Sequence, residues 1–99
     1  MTYACSYEVP APEAMYREVR RLIGDDAPDG LVAHVVVRSE AGLRHLEVWD
    51  SEELWNRFHD DRVQPAVQLV LQAAGFTEMP PDPLVEQLEL VDVWLGSAS

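Results

Sequence analysis

Residues 31–58, LVAHVVVRSEAGLRHLEVWDSEELWNRF, decide the fold. Residues 31–38 are rich in β-branched side chains and residues 43–49 continue in the same style, so two strands are predicted there. Ser39, Glu40, Ala41 and Gly42 between them make a short hairpin loop. Asp50 with Glu53 three residues later reads as a capping box, which starts a helix whose Leu54, Trp55 and Phe58 turn inward.

Upstream of this hairpin, TYACSYEV (2–9) alternates with period two and places Tyr3, Cys5, Tyr7 and Val9 on one face of a first strand. Pro12 is placed to open a helix over 12–23 whose Met15, Val19, Leu22 and Ile23 recur at helical spacing until Gly24 stops it. Downstream, Pro65 is expected to kink or restart the second helix, and Val63, Val67, Val70 and Ala74 carry its apolar stripe to Gly75. PPDP (80–83) isolates a last strand, LVEQLELVDVW (84–94), and GSAS (96–99) reads as a frayed tail.

The order is βαββαβ in one domain over 1–99. Right-handed crossovers turn that order into a ferredoxin-like α+β fold, a four-stranded antiparallel sheet with helices on one face. Both parities of the middle strands carry apolar or aromatic side chains, so the uncovered face predicts a homodimer.

Charge narrows the partners. Eighteen acidic residues against seven basic ones, all Arg, give a net charge of −11. Phosphate-rich surfaces are thereby poor partners, and neither nucleic acid nor an anionic membrane is expected. No run approaches the ~18 apolar residues of a membrane span, and MTYACSYEVP has no basic start with an apolar run behind it, so a cytoplasmic location is expected. The lone Cys5 has no disulfide partner in the chain and reads as a small filler on a strand.

The hairpin sorts its side chains into two unlike sets, and loop registers of two or four residues give the same sorting. One face collects His34, Val36, Arg38, His45, Glu47 and Trp49; the other collects Leu31, Ala33, Val35, Val37, Leu46 and Val48, with Arg44 at the rim. His34, His45 and Glu47 are the residue types of a two-histidine, one-carboxylate metal site. Three ligands on a flat two-stranded patch converge poorly, however, and the expectation is a metal-free proton-transfer set with His45 or His34 as base and Glu47 orienting it. Trp55 and His59, four apart on the second helix, can meet, and His59 with Asp60 and Asp61 reads as an acidic helix edge. There is no Gly-rich phosphate loop, GxSxG or CxxC.

The run Glu47-Val48-Trp49-Asp50-Ser51-Glu52-Glu53, followed by Phe58 and by Pro65-Ala66, resembles the middle of the dimeric α/β-barrel superfamily, which holds antibiotic biosynthesis and haem-degrading monooxygenases. The resemblance implies two protomers with sheets packed back to back and a small-molecule pocket in each between sheet and helices. The haem-degrading branch carries an Asn on the first strand, a Trp nine positions after the strand-end Trp and a haem-ligating His ten beyond it. Here those places hold Ser6 or Tyr7, Phe58 and Gln68, so haem is not expected. The quinone-forming branch is similar in its strand-end Trp, polar residue four before it and aromatic six after it, here Trp49, His45 and Trp55. That likeness implies a homodimer that binds a small aromatic or polyketide-like molecule and oxidises it without a cofactor, with Trp49, Trp55 and Phe58 walling the pocket. The alternative from a different class is a non-catalytic dimeric binding or structural module whose polar face is a buried network.

Face direction is where the two lines of reading diverge. The apolar rule turns the all-aliphatic face to the helices; the resemblance turns Glu47 and Trp49 to the helices and leaves the aliphatic face for the dimer. The second is the expectation carried forward.

Overall fold

A computed structural model describes residues 2–78 and 80–96. The elements are β1 (Tyr3–Val9), α1 (Glu13–Ile23), β2 (Leu31–Ser39), β3 (Gly42–Trp49), α2 (Glu52–Phe58), a π-helical turn (His59–Val63), α3 (Gln64–Ala73) and β4 (Glu86–Leu88). The four strands form one antiparallel sheet in the order β2-β3-β1-β4. The chain is thus an α+β domain whose order and sheet are consistent with a ferredoxin-like fold.

The β2–β3 hairpin closes through Glu40 and Ala41, with Ser39 opposite Gly42. Gly42 has φ +142°, and a Cβ there would run into the carbonyl of Val9, so the tight turn needs glycine. At the other end of β2 the ladder slips between Leu31 and Ala33. That bulge changes the facing of Leu31: expected among the aliphatic set, it packs instead with Tyr3, Cys5 and Trp49. Gly30 (φ +86°), just before the bulge, lets Leu54 lie against the backbone, since a Cβ would stand 2.5 Å from Leu54 Cδ1. Its carbonyl accepts from the Asp50 N–H at 2.8 Å, tying the start of β2 to the end of β3.

Helix α1 is held at its C-terminus by guanidinium groups that satisfy its last carbonyls: Arg20 Nη1 donates to Gly24 O at 2.7 Å and Arg62 Nη2 to Ile23 O at 2.5 Å. The second helix is capped by Ser51, whose hydroxyl accepts from the Leu54 N–H at 3.2 Å, and not by Asp50. Asp50 is held in the Gly30 contact, which leaves the next residue in the extended conformation a cap requires. Pro65 does restart the helix. It has no N–H for the carbonyl of Asp61 and its ring crowds that carbonyl, and the chain widens into the π turn immediately before it.

β4 is far shorter than the 84–94 run predicted. Only Glu86, Gln87 and Leu88 pair, with Ser6, Cys5 and Ala4. β4 is the sheet edge, so beyond Leu88 its alternating apolar residues meet no further strand, and Val91 and Trp94 are 95% and 93% exposed. Of the tail expected at 96–99, residues 97–99 lie outside the described residues.

The core lies between the sheet and the second helix. Tyr3, Cys5 and Trp49 are its buried centre, with Leu31, Leu54, Trp55 and Phe58 packed around them. Trp49 and Phe58 rings stand 5.3 Å apart, Tyr3 and Trp55 rings 5.6 Å. The sheet face bearing Trp49 therefore meets the helices. Val35, Val37 and Leu46 on the opposite face are 50%, 44% and 38% exposed. Among the described residues no helix is long and apolar enough to cross a membrane.

Candidate functional site

Three neighbouring strands place a polar cluster on the helix-facing side of the sheet. Cys5 of β1, Glu47 of β3 and His34 of β2 stand in one cross-strand row, and Tyr7, His45 and Val36 stand in the row beside it. Side chains in adjacent rows of one face are close enough to touch. His34 Nε2 lies 3.1 Å from His45 Nδ1, with the two rings stacked at 5.3 Å and 22°. Tyr7 stacks on the other side of His45 at 4.7 Å and 12°, and Tyr16 of α1 presents an edge to both imidazoles at 6.4 and 5.4 Å.

Glu47 is buried, but its recorded bonds run away from the histidines. Tyr7 Oη donates to Oε2 at 2.5 Å and Trp49 Nε1 donates to Oε1 at 3.0 Å. The orienting partner of His45 is thus His34, whereas Glu47 anchors Tyr7 and Trp49. Trp49 is fully buried and Tyr7 half-buried, and together they satisfy both oxygens, which is what burying a carboxylate demands. Among the described residues no buried side-chain nitrogen or oxygen is without a partner.

Burial sets the electrostatics. Removal from water pushes the His45 pKa down from 6.5 to about 4, with the neighbouring His34 opposing its charge as well and Glu47 acting the other way. His34 is lowered too, by burial first and by Arg20, against the pull of Glu47. Both rings are neutral at pH 7, and they share one hydrogen across the 3.1 Å contact. Either tautomeric arrangement then leaves the outer ends of the pair with one N–H and one lone pair, so the pair is both a proton donor and a proton acceptor. Burial, helped by Glu47, also pushes the Tyr7 hydroxyl far above its usual 10, keeping it a donor. The Cys5 thiol, desolvated beside Glu47, rises to about 12 and is no nucleophile at neutral pH.

Of the predicted site residues, His34, His45, Glu47 and Trp49 come together on one face. Trp55 and Phe58 join them through the core: Phe58 touches Trp49, and Trp55 lies between Tyr3 and His59, stacking on the latter at 5.4 Å. The flat-patch objection to convergence does not hold, because one ligand atom each from His34, His45 and Glu47 lie within 4.8 Å of one another. Tyr7 and Tyr16 are site residues that the sequence reading does not single out. Tyr7 shares the parity of Tyr3 and Cys5, but only the β1–β3 register shows it to be the neighbour of His45.

Two cavities open nearby. One of about 330 Å³ lies on the aliphatic side, lined by Ala4, Val35, Leu46, Leu88 and Val91 among others. The other, about 290 Å³, is lined by Ser6, Tyr7, Glu8, Arg44, Leu84 and Val85, so Tyr7 belongs both to the cluster and to a cavity wall. No family model matches the chain, and no curated protein matches it in sequence.

Proposed function

We propose that the chain is a homodimeric α/β-barrel protein, akin to the antibiotic biosynthesis monooxygenases, that binds a small aromatic or polyketide-like phenol and oxidises it without a cofactor. The observation that carries the reading is the neutral His34–His45 pair, His45 buried and His34 half-buried, flanked by Tyr7 and Tyr16. A lone pair held in an apolar, tyrosine-lined site accepts a phenolic proton without competition from water. The resulting phenolate supplies the electrons to O2; one oxygen atom stays on the ring as the quinone carbonyl and the other leaves as water. Trp49, Trp55 and Phe58 give the apolar wall. The second copy is supported by the aliphatic face, whose Val35, Val37 and Leu46 stand open, with the exposed Val91 lining the same cavity as Val35 and Leu46.

The test is oxygen consumption with a panel of hydroquinone-like compounds, using chelator-treated protein. His45→Ala should lower turnover by about 10² to 10⁴ with binding largely kept. Equal rates with and without protein across the panel would end the enzyme reading. A second reading, a non-catalytic module, is favoured by one observation: among the described residues every buried side-chain nitrogen and oxygen, those of Glu47 included, already has a partner within the chain. The oxygen assay separates the two, and Trp49→Phe tests the pocket, since it should remove most ligand-induced fluorescence quenching only if a ligand sits beside that ring.

A further inference from the structure

We propose that His34, His45 and Glu47 form a binding site for a divalent first-row transition-metal ion. The donor set is two imidazoles and one carboxylate, the combination that suits zinc, cobalt, nickel or ferrous iron. The facing nitrogens, His34 Nε2 and His45 Nδ1, stand 3.1 Å apart. An ion bonded to both at about 2.1 Å subtends an angle of about 95° between them, the cis angle of an octahedral site, and it lies off the line joining the nitrogens, so loading replaces the imidazole–imidazole hydrogen bond and turns both rings toward the ion. All three donor atoms lie within 4.8 Å of one another, against at most about 4.2 Å across an ion with bonds of that length, so loading draws the Glu47 carboxylate toward the imidazoles at the expense of its bonds to Tyr7 and Trp49.

The surroundings are those of a ligand set held in place. Glu47 accepts from Tyr7 Oη and Trp49 Nε1, one bond on each oxygen, and each oxygen keeps a second lone pair for an ion. Such outer hydrogen bonds orient a coordinating carboxylate. The donors sit on paired strands β2 and β3, with His34 directly opposite Glu47, so the ordered sheet fixes their spacing.

Occupancy has a chemical consequence. With the ion on the two facing nitrogens, each neutral imidazole must carry its hydrogen on the outer nitrogen, and the pair loses its outward lone pair. The loaded protein then has no acceptor for a phenolic proton, so the ion acts as an off-switch. That consequence rests on the base role proposed above; the ion site itself does not.

Untagged, chelator-treated protein titrated calorimetrically with Zn²⁺ should bind one ion per chain. His34→Gln and His45→Gln, each checked for native circular dichroism, should weaken binding by about tenfold or more, while His59→Gln leaves it unchanged. A second readout uses the wild-type chain alone: the imidazole ¹⁵N resonances of His34 and His45 should move together on adding Zn²⁺, with those of His59 still. Absence of binding at millimolar Zn²⁺, full affinity in both Gln variants, or shifts centred on His59 would each overturn the site. All of these are read without substrate, so failure here leaves the oxidation assay on metal-free protein to stand or fall separately.

Discussion

The two faces of the same sheet contrast in polarity, and in the reverse of the usual sense. The helix-covered face holds a buried carboxylate and His45, with His34 half-buried, beside Trp49, whereas the open face is Ala33, Val35, Val37, Leu46 and Val48, with the Arg44–Glu8 pair and Ser6 toward one end. A covered polar face is stable only because each buried polar atom has a partner, and an open apolar face is tolerable only if something else covers it. The contrast teaches that burial in this domain follows hydrogen-bond completeness on one side, while the other side is left open in the single chain.

Four measurements break or sharpen that contrast. The largest effect is expected from Leu46→Asp on the open face: light scattering should fall from about twice 11.2 kDa to the single-chain mass, or the chain should unfold, because an unpaired buried charge costs about 3 to 5 kcal/mol. A wild-type protein that is monomeric at every concentration would show that the open face needs no partner. On the covered face, Trp49→Ala should lose about 3 to 5 kcal/mol of unfolding free energy in a urea titration, removing a fully buried ring and one of the two donors to Glu47.

Next in size is acid. His45 protonates near 6.5 in the unfolded chain and near 4 in the fold, so between those values the unfolded state binds the extra proton. Metal-free protein should therefore lose stability as pH falls from about 7 to about 4, by about 3 kcal/mol, with no further loss from this group below that. His45→Phe should flatten that part of the profile, and an unchanged slope would show that the pair is not desolvated. The same shift moves the acid limb of any base-catalysed rate from the ordinary 6.5 towards 4. The smallest effect is Ser51→Ala, which removes the cap of α2 and should cost about 1 kcal/mol, with Asp50→Ala costing it no cap.

Much of the architecture was legible in the chain because short-range pattern suffices for it. Period-two alternation in 2–9 and 31–49, Pro12 before α1 and Gly24 after it are local signals that packing did not override. Leu31 was misplaced because a bulge shifts parity and leaves no mark in the sequence. The cap fell to Ser51 because Asp50 is engaged by the distant Gly30, a tertiary contact. The last strand was overlong because alternation marks what could pair, whereas pairing needs a neighbour. At the site, the grouping of His34, His45, Glu47 and Trp49 followed from hairpin parity alone. That Glu47 serves Tyr7 and Trp49, and that the imidazoles serve each other, depends on the β1–β3 register and on rotamers.

The π turn at His59–Val63 bears on how this chain tolerates insertions and deletions. At 100° per residue, an unbroken α-helix would carry Ala66 about 80° and Val70 about 120° around from Phe58. A π turn absorbs one extra residue, and subtracting its 100° brings both to within about 20° of Phe58. Leu54, Phe58, Ala66 and Val70, all inward-facing or buried, thus form one stripe only because the helix is one residue too long. Removing a single residue from 60–62 would give a more regular helix and a worse protein, with Ala66 and Val70 swung off the core. The facing of α3 on the core is held by that one supernumerary residue.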